Sequence, residues 1–169
     1  MAIAVRNLRS RGDQRKIAII DLDYHDGDGT RDCLATDNQV RNVSLHAVDF
    51  DQNRPANARV IALGTEVSLQ TYLKKLEEEL AAVRVWEPEL IIYVNGVDVA
   101  EDDLLGSWKF DSNAIAMRDQ AVFSMLESLP VPPPCVTLLS GGYGNNAWKH
   151  IAYSLARLIS GVTHQPTSG

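Results

Sequence analysis

The stretch Ile17-Ala18-Ile19-Ile20-Asp21-Leu22-Asp23-Tyr24-His25-Asp26-Gly27-Asp28-Gly29-Thr30 decides the fold class, because a short apolar run turns abruptly into four Asp, one His and two Gly. A strand exposed on one face would alternate polar and apolar residues. Four uninterrupted apolar positions before Asp21 instead suit a strand covered on both faces, as in a parallel sheet. Ligands in such sheets collect outside the carboxyl ends of the strands. Asp23 and His25 are two apart, so in extended backbone they point the same way and can grip one cation. Gly27 and Gly29 permit a tight turn. The competing reading of this stretch is a solvated acidic turn after a strand.

Working outward, Ala2, Ile3, Val5 and Leu8 lie among good helix formers ahead of Gly12 and predict a first helix. Val40 and Arg41–Leu45 predict a second buried strand ending in Ser44-Leu45-His46, and the Asp-, Asn- and Pro-rich segment from Ala47 to Ala58 predicts a loop. From Ser68 to Val85, Leu69, Tyr72, Leu73, Leu76, Leu80 and Val83 recur at helical spacing, while Lys74, Lys75 and Glu77 to Glu79 fall on the opposite, solvated face. Trp86-Glu87-Pro88 ends that helix, and Leu90–Val94 is a third buried strand running into Asn95-Gly96-Val97-Asp98.

Ser112 is the expected cap of a helix carrying Ile115, Val122, Met125, Leu126 and Leu129, with its methionines in the core. The run Pro130-Val131-Pro132-Pro133-Pro134 is a stiff connector into a fourth strand, Val136–Leu139. Ser140-Gly141-Gly142-Tyr143-Gly144 follows. A last helix from about Asn146 carries Ala147, Ile151, Leu155, Leu158 and Ile159 on one face, and residues 161–169 read as a polar tail after a single domain over 1–160. Four apolar strands separated by helical patterns predict an α/β sheet. Three of the strands end in groups with chemical capacity: Asp21, Asp23 and His25; Asp98; and Tyr143.

Composition narrows the partners. Sixteen basic residues against 22 acidic ones give a net charge of -6 with no basic block able to neutralise phosphates, which argues against direct nucleic-acid binding. Cys33 and Cys135 form neither a CxxC pair nor a disulfide framework, so a reducing compartment fits best. No apolar run approaches the roughly 20 residues of a membrane span, and residues 1–10 lack the apolar core of a secretion signal. The expectation is a cytoplasmic protein away from membranes.

These residues resemble the zinc-dependent histone deacetylase and acetylpolyamine amidohydrolase family, from Ala2 to about Ile159. Asp21 to Thr30 is similar to its first metal motif, Asn95-Gly96-Val97-Asp98-Val99-Ala100-Glu101-Asp102-Asp103-Leu104-Leu105-Gly106 to its second, and Ser140-Gly141-Gly142-Tyr143 to its catalytic tyrosine loop. Glu101, Asp103, Leu105 and Gly106, with Gly64-Thr65-Glu66 before the long helix, are most similar to the class IV branch and its bacterial relatives.

The resemblance implies a three-layer α/β sandwich with a mainly parallel, arginase/deacetylase-like sheet. It also implies one Zn2+ per chain on Asp23, His25 and Asp98, with open positions for water and the amide carbonyl. Tyr143 would donate to the developing oxyanion. Asp21, Ser44 and Leu45 match the family's structural K+ site, and Asp21 and Asp28 match carboxylates that orient its two active-site histidines. The implied substrate is an acylated amine or acyl-lysine.

The family's tandem histidines have no counterpart in this sequence, since His46, His150 and His164 each stand alone and His46 reads as structural. The chain therefore looks like the C-terminal portion of the family domain, with the first strands, the acid/base pair and part of the substrate channel missing. At best weak activity is expected, together with self-association through the strand Val136–Leu139, the partner being a second copy or the N-terminal half of the domain. A non-catalytic metal- or partner-binding protein is the second reading. An arginase-like binuclear manganese site is disfavoured, because Gly27 and Ala100 stand where the second metal's carboxylates would be needed.

Overall fold

The computed structural model describes residues 1–160, apart from the side chains of residues 157, 158 and 160. The polar tail expected over 161–169 lies outside the described residues. In chain order the elements are α1 (Ala2–Ser10), β1 (Ile17–Asp21), α2 (Asp28–Cys33), β2 (Val40–His46), β3 (Ala58–Ala62), α3 (Leu69–Trp86), β4 (Leu90–Asn95), α4 (Ser112–Glu127), β5 (Cys135–Leu139) and α5 (Ala147–Ser160).

All five strands are parallel, in the order β3-β2-β1-β4-β5. All five residues of β1 are buried because both faces are covered. Ile17 and Ile19 join Val5 of α1 and Leu34 on one side, whereas Ala18 and Ile20 join Tyr72, Leu76 and Val83 of α3 and Ile115 and Val122 of α4 on the other. The covered strand expected from the uninterrupted apolar run is thus observed, within the three-layer α/β sandwich that the resemblance implied. Fully burying one such side chain contributes about 1.5–3 kcal/mol, so this central strand is the principal anchor of the core.

Several local expectations need correction. Four strands were anticipated, and β3 makes a fifth; it begins at Ala58, the last residue of the expected loop, and its alternating Arg59 belongs to a half-covered edge. Arg59 explains a second correction. Glu79, assigned by spacing to the solvated face of α3, is buried and takes both Arg59 Nη2 and Nε, at 2.9 and 3.0 Å. The cap of α4 is Asp111, whose side chain accepts from the Ala114 N–H at 2.7 Å, and Ser112 is the first helical residue. Met117 is exposed, not core. Gly29 belongs to α2 and not to a tight turn.

Sheet order also places the site. From β1 the chain moves one way to β2 and β3, then returns past β1 to β4 and β5. The loops after β1 and β4 therefore leave neighbouring strands at the switch in direction, where parallel sheets open a crevice.

Candidate metal centre

Asp23, His25 and Asp98 meet at that crevice, their ligand atoms all within 4.8 Å of one another. His25 Nδ1 lies 3.3 Å from Asp23 Oδ1 and 3.0 Å from Asp98 Oδ2. The backbone route differs from the one expected. β1 ends at Asp21, so Asp23 and His25 sit in the loop beyond the strand. Their side chains converge because the loop is folded onto its own carboxylates: Asp21 Oδ1 accepts from the Asp23 N–H and Asp23 Oδ1 from the His25 N–H.

The same carboxylates tie three loops together. Asp98, whose side chain is fully buried, accepts from the Tyr24 N–H at 2.9 Å. Asp23 Oδ2 accepts from Ser140 Oγ at 2.8 Å and from the Gly141 N–H at 2.9 Å, which brings in the loop after β5. Ser140 was not singled out by sequence, and its position beside the Gly-Gly pair was the available signal.

Two glycines are required here by space. A Cβ on Gly141 would stand 2.2 Å from Asp98 Oδ2 and 2.7 Å from Asp23 Oδ2, and one on Gly96 would stand 2.8 Å from Asp23 Oδ2 and 2.9 Å from Asp98 Oδ1. The backbone is thus drawn in around the paired oxygens. Two carboxylates this close are unfavourable together unless a proton or a cation lies between them. Burial and the neighbouring Asp23 push the Asp98 carboxyl up, while Asp23, despite its own burial, is held down by hydrogen bonds from Asp98, His25, Ser140 and Gly141. Two oxygen donors and one imidazole, crowded and turned toward one point, fit a single divalent cation of the zinc type.

Asp21 lies behind this group, buried at the end of β1, and burial pushes its carboxyl up to about 7, with Asp23, Asp98 and Asp26 adding to the rise. Ser44 is its register partner across β1 and β2. The Ser44 hydroxyl is 2.8 Å from His46 Nδ1, and Leu45 is buried between them in sequence. A buried carboxyl among like charges fits a neighbouring cation, the role the resemblance gave to Asp21, Ser44 and Leu45. Asp28 is the first residue of α2, where its Oδ1 accepts from the Gly29 N–H at 2.7 Å.

Tyr143 is half exposed on the loop after β5. Its N–H donates to Asp103 Oδ2 at 2.7 Å, and Asp103 Oδ1 accepts from the N–H groups of Leu105 and Gly106. One carboxylate therefore joins the Asp98 loop to the tyrosine loop. Its slight burial, then the negative charge of Asp23, Asp98 and Asp103, raises the phenol above its ordinary value, so Tyr143 keeps its proton as a donor.

The other described histidines are occupied elsewhere. His46 is buried between Ser44 and Asp49, and His150 sits between Ser112 Oγ at 3.0 Å and Asp102 Oδ1 at 3.2 Å. Asp26 approaches His46 as well, but its two oxygens are held by Arg31 at 2.6 and 3.1 Å.

The chain has relatives among known proteins. The chain is 35% identical over 150 residues to Histone deacetylase 2 of Arabidopsis thaliana, covering 85% of this chain and 38% of that protein. It is 27% identical over 176 residues to the acetylpolyamine amidohydrolase of Mycoplana ramosa, covering 95% of this chain and 48% of that one. Among solved structures, a histone deacetylase homologue from Aquifex aeolicus superposes with a TM-score of 0.77 at 23% identity over 97% of this chain and 46% of that one, a likeness of fold. This chain thus spans less than half the length of each of these relatives. The family model described as the histone deacetylase domain matches residues 1–159, so nearly all of the described fold lies inside the match, and the chain belongs to the histone deacetylase family.

Proposed function

We propose that this chain carries the metal-binding and oxyanion side of a zinc-dependent N-acyl amide hydrolase acting on an acetyl-lysine or acetylpolyamine type of substrate. The observation that carries the reading is the convergence of Asp23, His25 and Asp98 beside the Tyr143 loop. Asp23, His25 and Asp98 would hold the ion and leave positions open. When bound, zinc supplies Lewis acidity toward the amide carbonyl and makes water more acidic.

The chain's own residues then have defined tasks. Asp23 and Asp98 supply the negative charge that retains a dication, and His25 supplies the neutral donor. The Tyr143 phenol donates a hydrogen bond to the carbonyl oxygen as water adds to the carbonyl carbon and charge develops there. Cleavage of the C–N bond yields a carboxylate and an amine. Asp21, with Ser44 and Leu45, would take a K+ ion behind the loop, and Asp28 is available to orient an imidazole. A reducing, cytoplasmic setting fits the two free cysteines.

A proton-transfer base at the site is not found among the described residues. No histidine pair stands at the site among the described residues, with His46 and His150 engaged away from it. A positioned base contributes about 10²–10⁴ in rate, so this chain by itself is expected to turn over slowly. That observation also supports the second reading, a metal-binding protein without catalysis. Acetate release from an acetyl-lysine peptide and an acetylated polyamine, measured with zinc added, separates the two. Slow, zinc-dependent turnover that falls about 10²–10³-fold in kcat in Tyr143→Phe supports the hydrolase; no zinc-dependent turnover favours the binding protein.

A further inference from the structure

Arg118 of α4 is fully buried and reaches the backbone of both ligand loops. Its Nη1 donates to the Gly96 carbonyl at 2.6 Å and, more weakly, to the Leu22 carbonyl at 3.4 Å. Leu22 immediately precedes Asp23, and Gly96 stands two residues before Asp98. Nη2 donates to Asn95 Oδ1, and Nε donates to Asp119 Oδ1 at 2.9 Å. Asp119 is itself held by the Tyr93 hydroxyl at 2.6 Å, by Asn95 Nδ2 and by Ser154 Oγ. The network therefore links β4, α4 and α5 and ends, on its outer side, on the two loops that deliver the metal ligands.

Stability alone is a poor reason to keep such a group. A buried ion pair recovers its desolvation cost only with full hydrogen bonding, and well-packed apolar replacements are often as stable. Geometry gives a better reason. Leu22 and Gly96 lie just past the ends of β1 and β4, where the ladder stops supplying donors to carbonyls. The two loops are also in direct contact, since a Cβ on Gly96 would stand 2.7 Å from Asp23 Cα. A shift of Gly96 is transmitted to Asp23.

We propose that Arg118, oriented by Asp119, is a positioning residue that fixes the spacing between the Asp23/His25 loop and the Asp98 loop through the Leu22 and Gly96 carbonyls. The planar fork reaches both carbonyls and its counter-ion at once, which an ammonium cannot do. The proposal rests on the reading of Asp23, His25 and Asp98 as a metal site, and its test separates the two.

The comparison uses wild type, Arg118→Lys and Tyr93→Phe, the last removing one hydrogen bond to Asp119 without touching either loop carbonyl. Zinc affinity is measured by competition with a chromophoric chelator, thermal stability by circular dichroism, and amide hydrogen exchange at Tyr24 and Val97. Both variants are expected to melt earlier. Only Arg118→Lys should weaken zinc, by about 10–100-fold as for other groups that orient ligands, and speed exchange at Tyr24 and Val97. Wild-type zinc affinity and exchange in a folded Arg118→Lys, or an equal loss of zinc in Tyr93→Phe, would overturn the proposal. Should Arg118→Lys not fold, Asp119→Asn is measured in its place, and unchanged zinc affinity there counts against it. Absence of zinc binding in wild type, with exchange still faster in Arg118→Lys, would remove the metal reading and leave the positioning role standing.

Discussion

His25 Nδ1 lies 3.0 Å from Asp98 Oδ2 although 73 residues separate them in the chain. The contact exists because β1 and β4 are neighbours in the sheet, with Asp21 opposite Val94, so the loops beyond both strands open on the same crevice. A divalent ion there would replace crowding between two carboxylates with attraction to all three groups. Zinc should therefore raise the melting temperature. At a free concentration 100-fold above Kd the gain is about 2.7 kcal/mol, on the order of 5–10 °C for a chain of this size, and a chelator should reverse it. Differential scanning calorimetry with and without chelator checks this; an unchanged transition would count against the site.

Gly141→Ala should abolish zinc binding while leaving the sheet folded. Its Cβ would meet Asp98 Oδ2 at 2.2 Å, a clash at the carboxylates and not in the apolar layers, with an overpacking cost of about 1–3 kcal/mol. Gly29→Ala is the control: nothing lies within 4 Å of its Cβ, its helical backbone suits alanine, and a gain of about 0.5–1 kcal/mol is expected with zinc affinity unchanged. Equal zinc affinity in both variants would show that Gly141 is not part of the site.

Arg31→Met should cost about 3–5 kcal/mol, because it strands the Asp26 carboxylate where both side chains are at most 1% exposed. Burial alone would raise Asp26, but Arg31, the Phe50 N–H and His46 hold it below its ordinary 3.8. The folded value is depressed, so the stabilisation is complete above the unfolded value and is lost as pH falls through the folded one. Urea unfolding of the two proteins should differ most near neutrality and converge as pH falls from about 3.8 through the lower folded value; a gap that widens in acid would refute this account.

β5 is an edge strand paired only with β4 among the described residues, and Val136 and Leu139 expose about half their surface along it. An unpaired apolar edge recruits other strands. The chain should self-associate unless a further strand, from a second copy or from the rest of such a domain, covers β5. Light scattering should show larger species for wild type than for Val136→Lys. A monodisperse wild-type monomer at high concentration would contradict the prediction.

Sequence alone conveyed the sheet well wherever burial on both faces removed ambiguity, as in β1, whose bounds match the expected Ile17–Asp21, and in β4. It failed where one charge pairs with another far away. Glu79 read as solvent-facing on local spacing alone, yet Arg59 and Glu79 together hold the β3 edge against α3. The candidate ligands Asp23, His25 and Asp98, which the structure brings together, were legible because Asp and His stand out after apolar runs. The Arg118–Asp119 pair behind them was not, because a hydrogen bond to a carbonyl 96 residues away leaves no local pattern.

The central claim is one divalent ion held by Asp23, His25 and Asp98, and metal stoichiometry tests it most directly. Elemental analysis after equilibration with zinc and removal of excess should give one equivalent per chain, and Asp98→Ala, which deletes one of three ligands, should lose it. Two equivalents per chain, none, or one equivalent retained with unchanged affinity in Asp98→Ala would contradict the account.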